Sequence, residues 1–258
     1  MSRFYVPPEC VAGGKIMIRG GELHHARDVM RLAAGDAIVV FDGTGKEYHG
    51  IIQKIDKGQM TVTIKKTAER KSEGCRLILI QALPRSDKMD LIVEKATELG
   101  VERIIPVTTE RTVARPDTKK ENLKVERWRK IALIAAKQCG RTTIPEVMPI
   151  TGFEDSLKAL NDSEIKIIPC LYDDTKALKE VLRGQRGKVL SEAKGKVLSE
   201  AKGKSAVIFI GPEGDFTKKE VEAAKAIGAI PVSFGREILR SETAAICALS
   251  ILNYELRW

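Results

Sequence analysis

The segment Ile208–Glu220 carries the clearest pattern for ligand chemistry in this 258-residue sequence. An apolar run that ends at Gly211 predicts a buried strand, and Gly211 with Gly214 allows a tight turn in which the backbone can approach a ligand closely. Thr217 and Glu220 have the spacing of a capping box, which predicts that a helix begins there. Taken alone, this loop is equally compatible with a simple strand-to-helix connection.

A second unit with the same order follows directly. The apolar run Ile230–Phe234 predicts a strand, Gly235–Arg240 a loop, and Ser241 the cap of a long helix from about Glu242. Ligands of open α/β sheets bind beyond the carboxyl ends of strands, so the two loops together predict one crevice. Neither loop has the glycine spacing of a dinucleotide-binding fingerprint or of a P-loop, which disfavours dehydrogenases and P-loop nucleotidases.

The cysteines and histidines do not predict a metal site. The five cysteines are scattered without a Cys-x-x-Cys pair, which argues against both a disulfide framework and structural zinc. His24 and His25 are adjacent and would point about 100° apart on a helix, a poor arrangement for ligation. We therefore expect no bound metal.

The positive charge favours a polyanionic partner. The formal net charge is +9, and Arg111–Pro145 holds ten Lys and Arg residues against three acidic ones. A charge run is usually a solvated helix face, but the concentration of the excess in one segment favours a phosphate-binding surface.

No apolar stretch approaches the length needed to span a bilayer, and the N-terminus lacks the apolar region of a signal peptide. We therefore expect a cytoplasmic protein that does not enter a membrane.

The pattern of apolar and turn residues changes near Lys71, which predicts two domains, residues 1–71 and 72–258. The first shows short alternating runs separated by glycine turns, typical of a small β-barrel, with one helical stretch at about His24–Arg31. The predicted strands are Lys15–Arg19, Ala37–Phe41, Gly50–Lys54 and Met60–Ile64.

In residues 72–258, predicted strands alternate with predicted helices, which indicates an α/β domain with a parallel sheet. Two of its helices are predicted to end at Gly100 and Gly140, and Asp87 to cap the first. The predicted buried strands are Leu77–Leu83, Ile104–Val107, Ile165–Cys170, Ala206–Ile210 and Ile230–Phe234. A verbatim octapeptide duplication, Gly187–Lys194 and Gly195–Lys202, is best interpreted as a surface insertion without chemistry of its own.

The two glycine loops resemble a known family. Ile-Gly-Pro-Glu-Gly at Ile210–Gly214 and Gly-Arg-Glu-Ile-Leu-Arg-Ser-Glu-Thr-Ala at Gly235–Ala244 resemble the signature loops of SPOUT methyltransferases, in particular the 16S ribosomal RNA (uracil-1498-N3)-methyltransferases. Nearly the whole chain takes part apart from the duplication. The supporting segments are Arg3–Tyr5, Val29–Asp36, Leu83–Asp90, Lys95–Val101, Glu110–Thr112 and Lys137–Arg141.

The resemblance implies a PUA-like RNA-binding barrel, a C-terminal trefoil-knotted methyltransferase domain and a homodimer. It implies S-adenosylmethionine as cofactor and N3 of a uridine in 16S ribosomal RNA as target, with the assembled small (30S) subunit as the expected substrate. Sequence reasoning without it predicts an open doubly wound sheet, because threaded chains are rare.

The residues expected to hold the cofactor come from three loops. Backbone groups near Leu171, Gly211, Gly214, Ile238 and Leu239 are expected to hold adenine and ribose. Arg240 could anchor a carboxylate or an RNA phosphate, or pair with Glu242. The full predicted set is Leu171, Ile210, Gly211, Pro212, Glu213, Gly214, Gly235, Ile238, Leu239, Arg240, Ser241, Glu242 and Thr243.

Uracil N3 carries a proton at neutral pH, so something must accept it or stabilise the anion. Arg141 is the candidate for stabilising the developing charge and Gln138 for recognising the uracil edge, although both could simply end a helix and contact phosphate. The arginines expected to contact RNA are Arg3, Arg31, Arg85, Arg111, Arg115 and Arg127.

The chain departs from the family pattern at several positions. Asp215 stands where a third glycine is common, Phe234 replaces a frequent leucine, Glu237 replaces a more typical basic residue, and Thr142 stands where asparagine is frequent. Two other functions stay open: a related enzyme that methylates transfer RNA or a ribose 2′-hydroxyl, and a non-catalytic RNA-binding assembly factor. Low aromatic content, 5%, favours recognition of a folded RNA surface over a stacking platform for single strands.

Overall fold

The computed structural model describes residues 2–70, 74–85, 88–112, 118–160, 165–172, 174–183 and 205–257. The chain forms two compact units: Met1–Ser72 with Ala136–Ile144, and Glu73–Ala135 with Pro145–Trp258. Ala136–Ile144 thus belongs to the first unit, although the two-domain prediction assigned it to the second domain. Three features of the sequence lie outside the described residues: the Asp87 cap, Arg115 and the duplicated octapeptide.

The first unit contains a six-stranded sheet. The strands are β1 Arg3–Tyr5, β2 Val11–Ala12, β3 Lys15–Ile18, β4 Ala37–Phe41, β5 Lys46–Ile55 and β6 Met60–Glu69. Their order in the sheet is β1-β4-β5-β6-β3-β2, and they pair antiparallel, except that β1 runs parallel to β4. β4 has the predicted bounds, whereas β5 and β6 extend beyond the alternating residues, because the hydrogen-bonded ladder continues past the half-buried stretch.

A helical segment packs on the apolar face of this sheet. It comprises α1, Gly20–His24, and a π-helical turn, His25–Val29, so it begins and ends earlier than the predicted His24–Arg31. Leu23 and Ala26 are buried with the strand side chains and hold the segment in place. A short 3₁₀ turn, Pro8–Cys10, precedes β2.

The second unit contains an eight-stranded sheet, and its strand pairs are all parallel, as the alternation of strands and helices predicted. The strands are β7 Arg76–Ala82, β8 Arg103–Thr108, β9 Glu146–Val147, β10 Thr151–Gly152, β11 Ile165–Pro169, β12 Lys176–Ala177, β13 Ser205–Ile210 and β14 Ile230–Ser233. Their order in the sheet is β10-β8-β7-β13-β11-β14-β12, and β9 also pairs with β8. All five predicted strands are present.

Helices cover this sheet and end where the glycines predicted. Gly100 and Gly140 have φ values of +86° and +79°, the left-handed conformation that terminates a helix. The helices are α2 Lys88–Glu98, α3 Thr118–Cys139, α4 Phe153–Lys158, α5 at 178–183, α6 Lys218–Ala226 and α7 Ser241–Arg257. No helix within the described ranges is long and apolar enough to cross a membrane.

The capping box predicted at Thr217 is present at the start of α6. The Thr217 hydroxyl accepts a hydrogen bond from the Glu220 backbone N–H at 3.3 Å, and the Glu220 carboxylate accepts one from the Thr217 N–H at 2.8 Å. The same carboxylate also accepts from the Glu110 N–H at 2.9 Å. Phe216, just before the cap, is fully buried against Phe153, with ring centroids 5.1 Å apart. The start of α6 is thereby fixed to the core.

Replacing Thr217 with alanine should lower the free energy of unfolding of the second unit by about 1 kcal/mol, because the Glu220 N–H loses its acceptor. Urea titration followed by the fluorescence of Trp128, which is buried in that unit, measures the change. Thr217→Ser retains the hydroxyl and serves as the matched control. Equal loss in both variants would show that the methyl group, and not the cap, carries the stability.

Candidate active site

Three loops at the carboxyl ends of neighbouring strands line one cavity of about 260 Å³. β11 pairs with β13 on one side and with β14 on the other, so the loops that follow these strands meet. Parallel strands end at the same edge of a sheet, which is where ligands of α/β proteins bind. The volume is close to the lower end of the range for small-molecule sites, about 300–1,000 Å³.

Most of the residues predicted to hold a cofactor line this cavity. They are Leu171, Ile210, Gly211, Pro212, Glu213, Gly235, Ile238, Leu239, Arg240 and Ser241. Gly214, Glu242 and Thr243 are not part of its wall. The sequence prediction missed further lining residues, which lie at the ends of the same strands, in the loops that follow them or, for the last one, in the first turn of α7: Pro169, Cys170, Asp215, Val232, Ser233, Phe234, Arg236, Glu237 and Ala244. Ligands of α/β sheets bind at the carboxyl ends of the strands, and this strand-end rule, applied to β11 and β14, would have found most of them.

Glu213 is held at the cavity wall by the segment that leads into α2. Its carboxylate accepts a hydrogen bond from the Arg85 backbone N–H at 3.0 Å and pairs with Lys88 at 3.3 Å. Lys88 also pairs with Glu242 at 3.2 Å. Burial raises the pKa of the Glu213 carboxyl, but the hydrogen bonds from backbone N–H groups and from Lys88 outweigh it, and the net pKa lies below the usual value. Glu213 is therefore ionised at neutral pH and is a weak base.

Ser241 links the cavity loop to the sheet rather than capping α7, which corrects the prediction. The helix begins at Ser241 itself, and the Ala244 N–H bonds to the Arg240 carbonyl. The Ser241 hydroxyl instead donates to the Gly211 carbonyl at 2.7 Å and accepts from the Gln81 side-chain amide at 3.0 Å. The capping prediction failed because both partners are distant in sequence.

Gly214 lies beneath Arg111. A Cβ atom at Gly214 would lie 3.4 Å from the Cβ of Arg111, and the Arg111 guanidinium donates to the Gly214 carbonyl at 2.7 Å. Arg111 thereby braces the outer side of the loop whose inner side lines the cavity.

Cys170 is the cysteine of the cavity wall, and burial raises the pKa of its thiol to about 11. At neutral pH it is therefore protonated and a poor nucleophile.

Comparison with known proteins identifies the family. A model described as the RNA methyltransferase domain matches residues 71–253, and one described as the RNA methyltransferase PUA domain matches residues 18–65. Ribosomal RNA small subunit methyltransferase E of Bacillus subtilis is 34% identical over 239 residues, which cover 92% of this chain and 89% of that protein. The chain belongs to the ribosomal RNA small subunit methyltransferase E family.

Other members of the family match this chain over nearly its full length. The Synechocystis protein of the same name is 29% identical, with 97% of this chain and 77% of that protein covered. A crystal structure of the Neisseria gonorrhoeae member bound to S-adenosyl methionine is 28% identical and superimposes with a TM-score of 0.79, over 98% of this chain and 96% of that one. The first unit is accordingly PUA-like and the second has the fold of the family's methyltransferase domain. The trefoil knot stays a prediction.

The predicted catalytic residues belong to the first unit. Gln138 is exposed near the end of α3, and Arg141 follows Gly140. The Arg141 carbonyl accepts a hydrogen bond from Arg3 at 2.7 Å, and its guanidinium donates to the Thr143 hydroxyl at 3.1 Å. All three histidines of the sequence also lie in this unit, at His24, His25 and His49.

Three of the arginines expected to contact RNA have contacts within their own units. Arg3 forms an ion pair with the buried Glu47 and lies over the Phe41 ring, 4.6 Å from its centroid. Arg111 braces Gly214, as described above. Arg127 pairs with Asp90 but stays largely exposed, and Arg31 and Arg85 are exposed. Contact of these arginines with RNA stays a prediction.

Replacing Ser241 with alanine should destabilise the second unit by about 1–3 kcal/mol, because the fully buried Gln81 amide loses one of its two acceptors and the Gly211 carbonyl loses its donor. Urea titration measures the loss. Ser250→Ala, the same change on the same helix, is the control and should cost less than 0.5 kcal/mol or so. Equal losses would contradict the role of the Ser241 hydrogen bonds.

Proposed function

We propose that this protein uses S-adenosylmethionine to methylate N3 of a uridine in 16S ribosomal RNA, at the 1498-type position, and acts on the assembled 30S subunit. The observation that carries the proposal is the cavity formed by the loops after β11, β13 and β14 in a chain of this family. A family member with bound S-adenosyl methionine supports the choice of cofactor.

The residues of the cavity fit this cofactor. Leu171 and Ile238 are 61% and 74% exposed, unusual for large apolar side chains, and both belong to the wall. An adenine ring would cover such surfaces. The wall also contains carboxylates, at Glu213, Asp215 and Glu237, and guanidinium groups, at Arg236 and Arg240. Both signs of charge are required by a ligand that carries a sulfonium, an ammonium and a carboxylate.

Bound S-adenosylmethionine would supply a methyl group that is already activated for transfer. The protein contributes position and electrostatics. The backbone of Gly211 and Leu239, with the side chains of Leu171 and Ile238, would hold the nucleoside, and Arg240 would bind the carboxylate. The positive φ of Gly235, +144°, lets the loop after β14 turn into the wall.

The target atom is a weak acid, and the uracil anion that remains when its N3 proton leaves to water needs a nearby positive charge. We assign this role to Arg141, whose guanidinium is always protonated. Gln138, one turn earlier, would recognise the uracil edge by hydrogen bonds. The ionised Glu213 is a weak base, which favours electrostatic stabilisation of the anion over general-base catalysis by that carboxylate.

The family resemblance also leads us to propose a homodimer with a trefoil knot in each methyltransferase domain. The PUA-like unit and the exposed arginines would contact ribosomal RNA, which the formal net charge of +9 favours.

Incubation of the protein with labelled S-adenosylmethionine and 30S subunits that lack the endogenous methyl group should yield N3-methyluridine in 16S RNA, identified by nucleoside mass spectrometry. Subunits that already carry the modification are the control and should take up no label. Label on transfer RNA or on a ribose 2′-hydroxyl would overturn the proposed target. If calorimetry detects no binding of S-adenosylmethionine, the proposal that this protein is a methyltransferase that uses this cofactor is wrong.

Arg141→Ala should lower turnover by about 100-fold or more while cofactor affinity stays within about twofold, because the guanidinium acts on the developing anion and not on the cofactor. The backbone carbonyl that Arg3 contacts is retained in this variant. Arg103→Ala removes an exposed arginine that pairs with Glu146 and is the matched control. Equal loss of turnover and cofactor affinity in Arg141→Ala would refute the assignment.

A further inference from the structure

We propose that Asp215 is a positioning residue that sets the affinity of the cavity for the cofactor by tying two of its loops together. The inference rests on the proposed function, since the ligand is S-adenosylmethionine. Asp215 follows the glycine loop after β13, and its carboxylate contacts the loop after β11.

Both carboxylate oxygens of Asp215 accept hydrogen bonds from backbone N–H groups. Oδ2 accepts from Leu171 at 2.9 Å, across the cavity wall, and Oδ1 accepts from Phe216 at 2.8 Å. The Asp215 N–H itself donates to the Pro212 carbonyl at 3.0 Å, which closes the glycine turn. One side chain therefore fixes the turn after β13 and the end of β11 at the same time.

The backbone of Asp215 shows that these contacts overcome a local preference. Its φ is +60°, the left-handed region that glycine adopts most readily, and Arg31 at +54° is the other non-glycine residue with positive φ among those described. A glycine would adopt the turn without strain, but it has no carboxylate to reach Leu171.

The hydrogen bond between Asp215 and Leu171 is one of three hydrogen-bonded links around the cavity. The Cys170 N–H donates to the Val232 carbonyl at 3.2 Å and joins the ends of β11 and β14, while the Ser241 hydroxyl joins α7 to Gly211. Asp215 supplies the remaining link, between β13 and β11. Because its carboxylate occupies the Leu171 N–H, this N–H is not available to a ligand, whereas the Leu171 side chain is exposed. The spacing between two walls of the cavity is thus set before the ligand arrives, which lowers the ordering cost of binding.

The test compares Asp215→Gly and Asp215→Asn with the wild-type protein by calorimetry with S-adenosylmethionine, steady-state kinetics and thermal unfolding. In Asp215→Gly, the Kd and the KM for the cofactor should rise about tenfold, because both side-chain hydrogen bonds are lost. The kcat at saturating cofactor should stay within about twofold, and Tm within about 2 °C, because relief of the positive φ offsets the lost bonds. Asp215→Asn keeps one acceptor and tolerates the same φ, so its Kd should rise by an intermediate factor, about threefold.

Asp56→Gly, in an exposed turn of the first unit, is the matched control and should leave Kd, KM and kcat unchanged. Wild-type affinity in Asp215→Gly would overturn the inference, and so would a parallel loss of kcat and Tm, which marks a merely structural role. If the wild-type protein fails to bind S-adenosylmethionine, the proposed function itself is wrong, so the two failures are distinguishable.

Discussion

The pairing of β11 between β13 and β14 is the constraint on which the cavity depends. β13 and β14 follow each other in the chain but do not pair, because the earlier strand β11 lies between them, and β13 also pairs with β7 on its other side. The three loops meet because their strands are parallel and share one edge. A shift of β11 to the outside of the sheet would leave the same loop sequences intact and separate them in space. The strand order brings the three loops close together, and the hydrogen bonds of the Ser241 and Asp215 side chains then fix the loops in that arrangement.

Features that depend on neighbours within one helical turn or one strand could be predicted from the sequence. The capping box of α6 is such a case, because Thr217 and Glu220 are three residues apart and need no other partner. The helix ends at Gly100 and Gly140 follow from the backbone freedom of one residue each. Buried parallel strands were recognisable because both of their faces are apolar. The loops of the cavity were therefore largely placed by local rules together with the strand-end rule.

Features that depend on distant partners could not be predicted in this way. Ser241 meets Gln81, 160 positions earlier in the chain, and its hydroxyl therefore does not serve as the cap that its position suggests. The contacts of the Arg3 guanidinium with Glu47 and with the carbonyl of Arg141, 138 positions later, could likewise not be predicted. The segment Ala136–Ile144 continues a helix of the second unit and yet belongs to the first. No periodicity in the sequence marks such contacts.

The burial of Cys170 affects how easily the cavity wall can be alkylated. In the proposed function the cavity wall would surround an electrophilic methyl donor, and a thiolate would be the group in it most easily alkylated. Since burial raises the pKa of Cys170 to about 11, this thiol stays protonated at neutral pH. The burial of Cys170 thus keeps a nucleophilic thiolate out of the cavity wall.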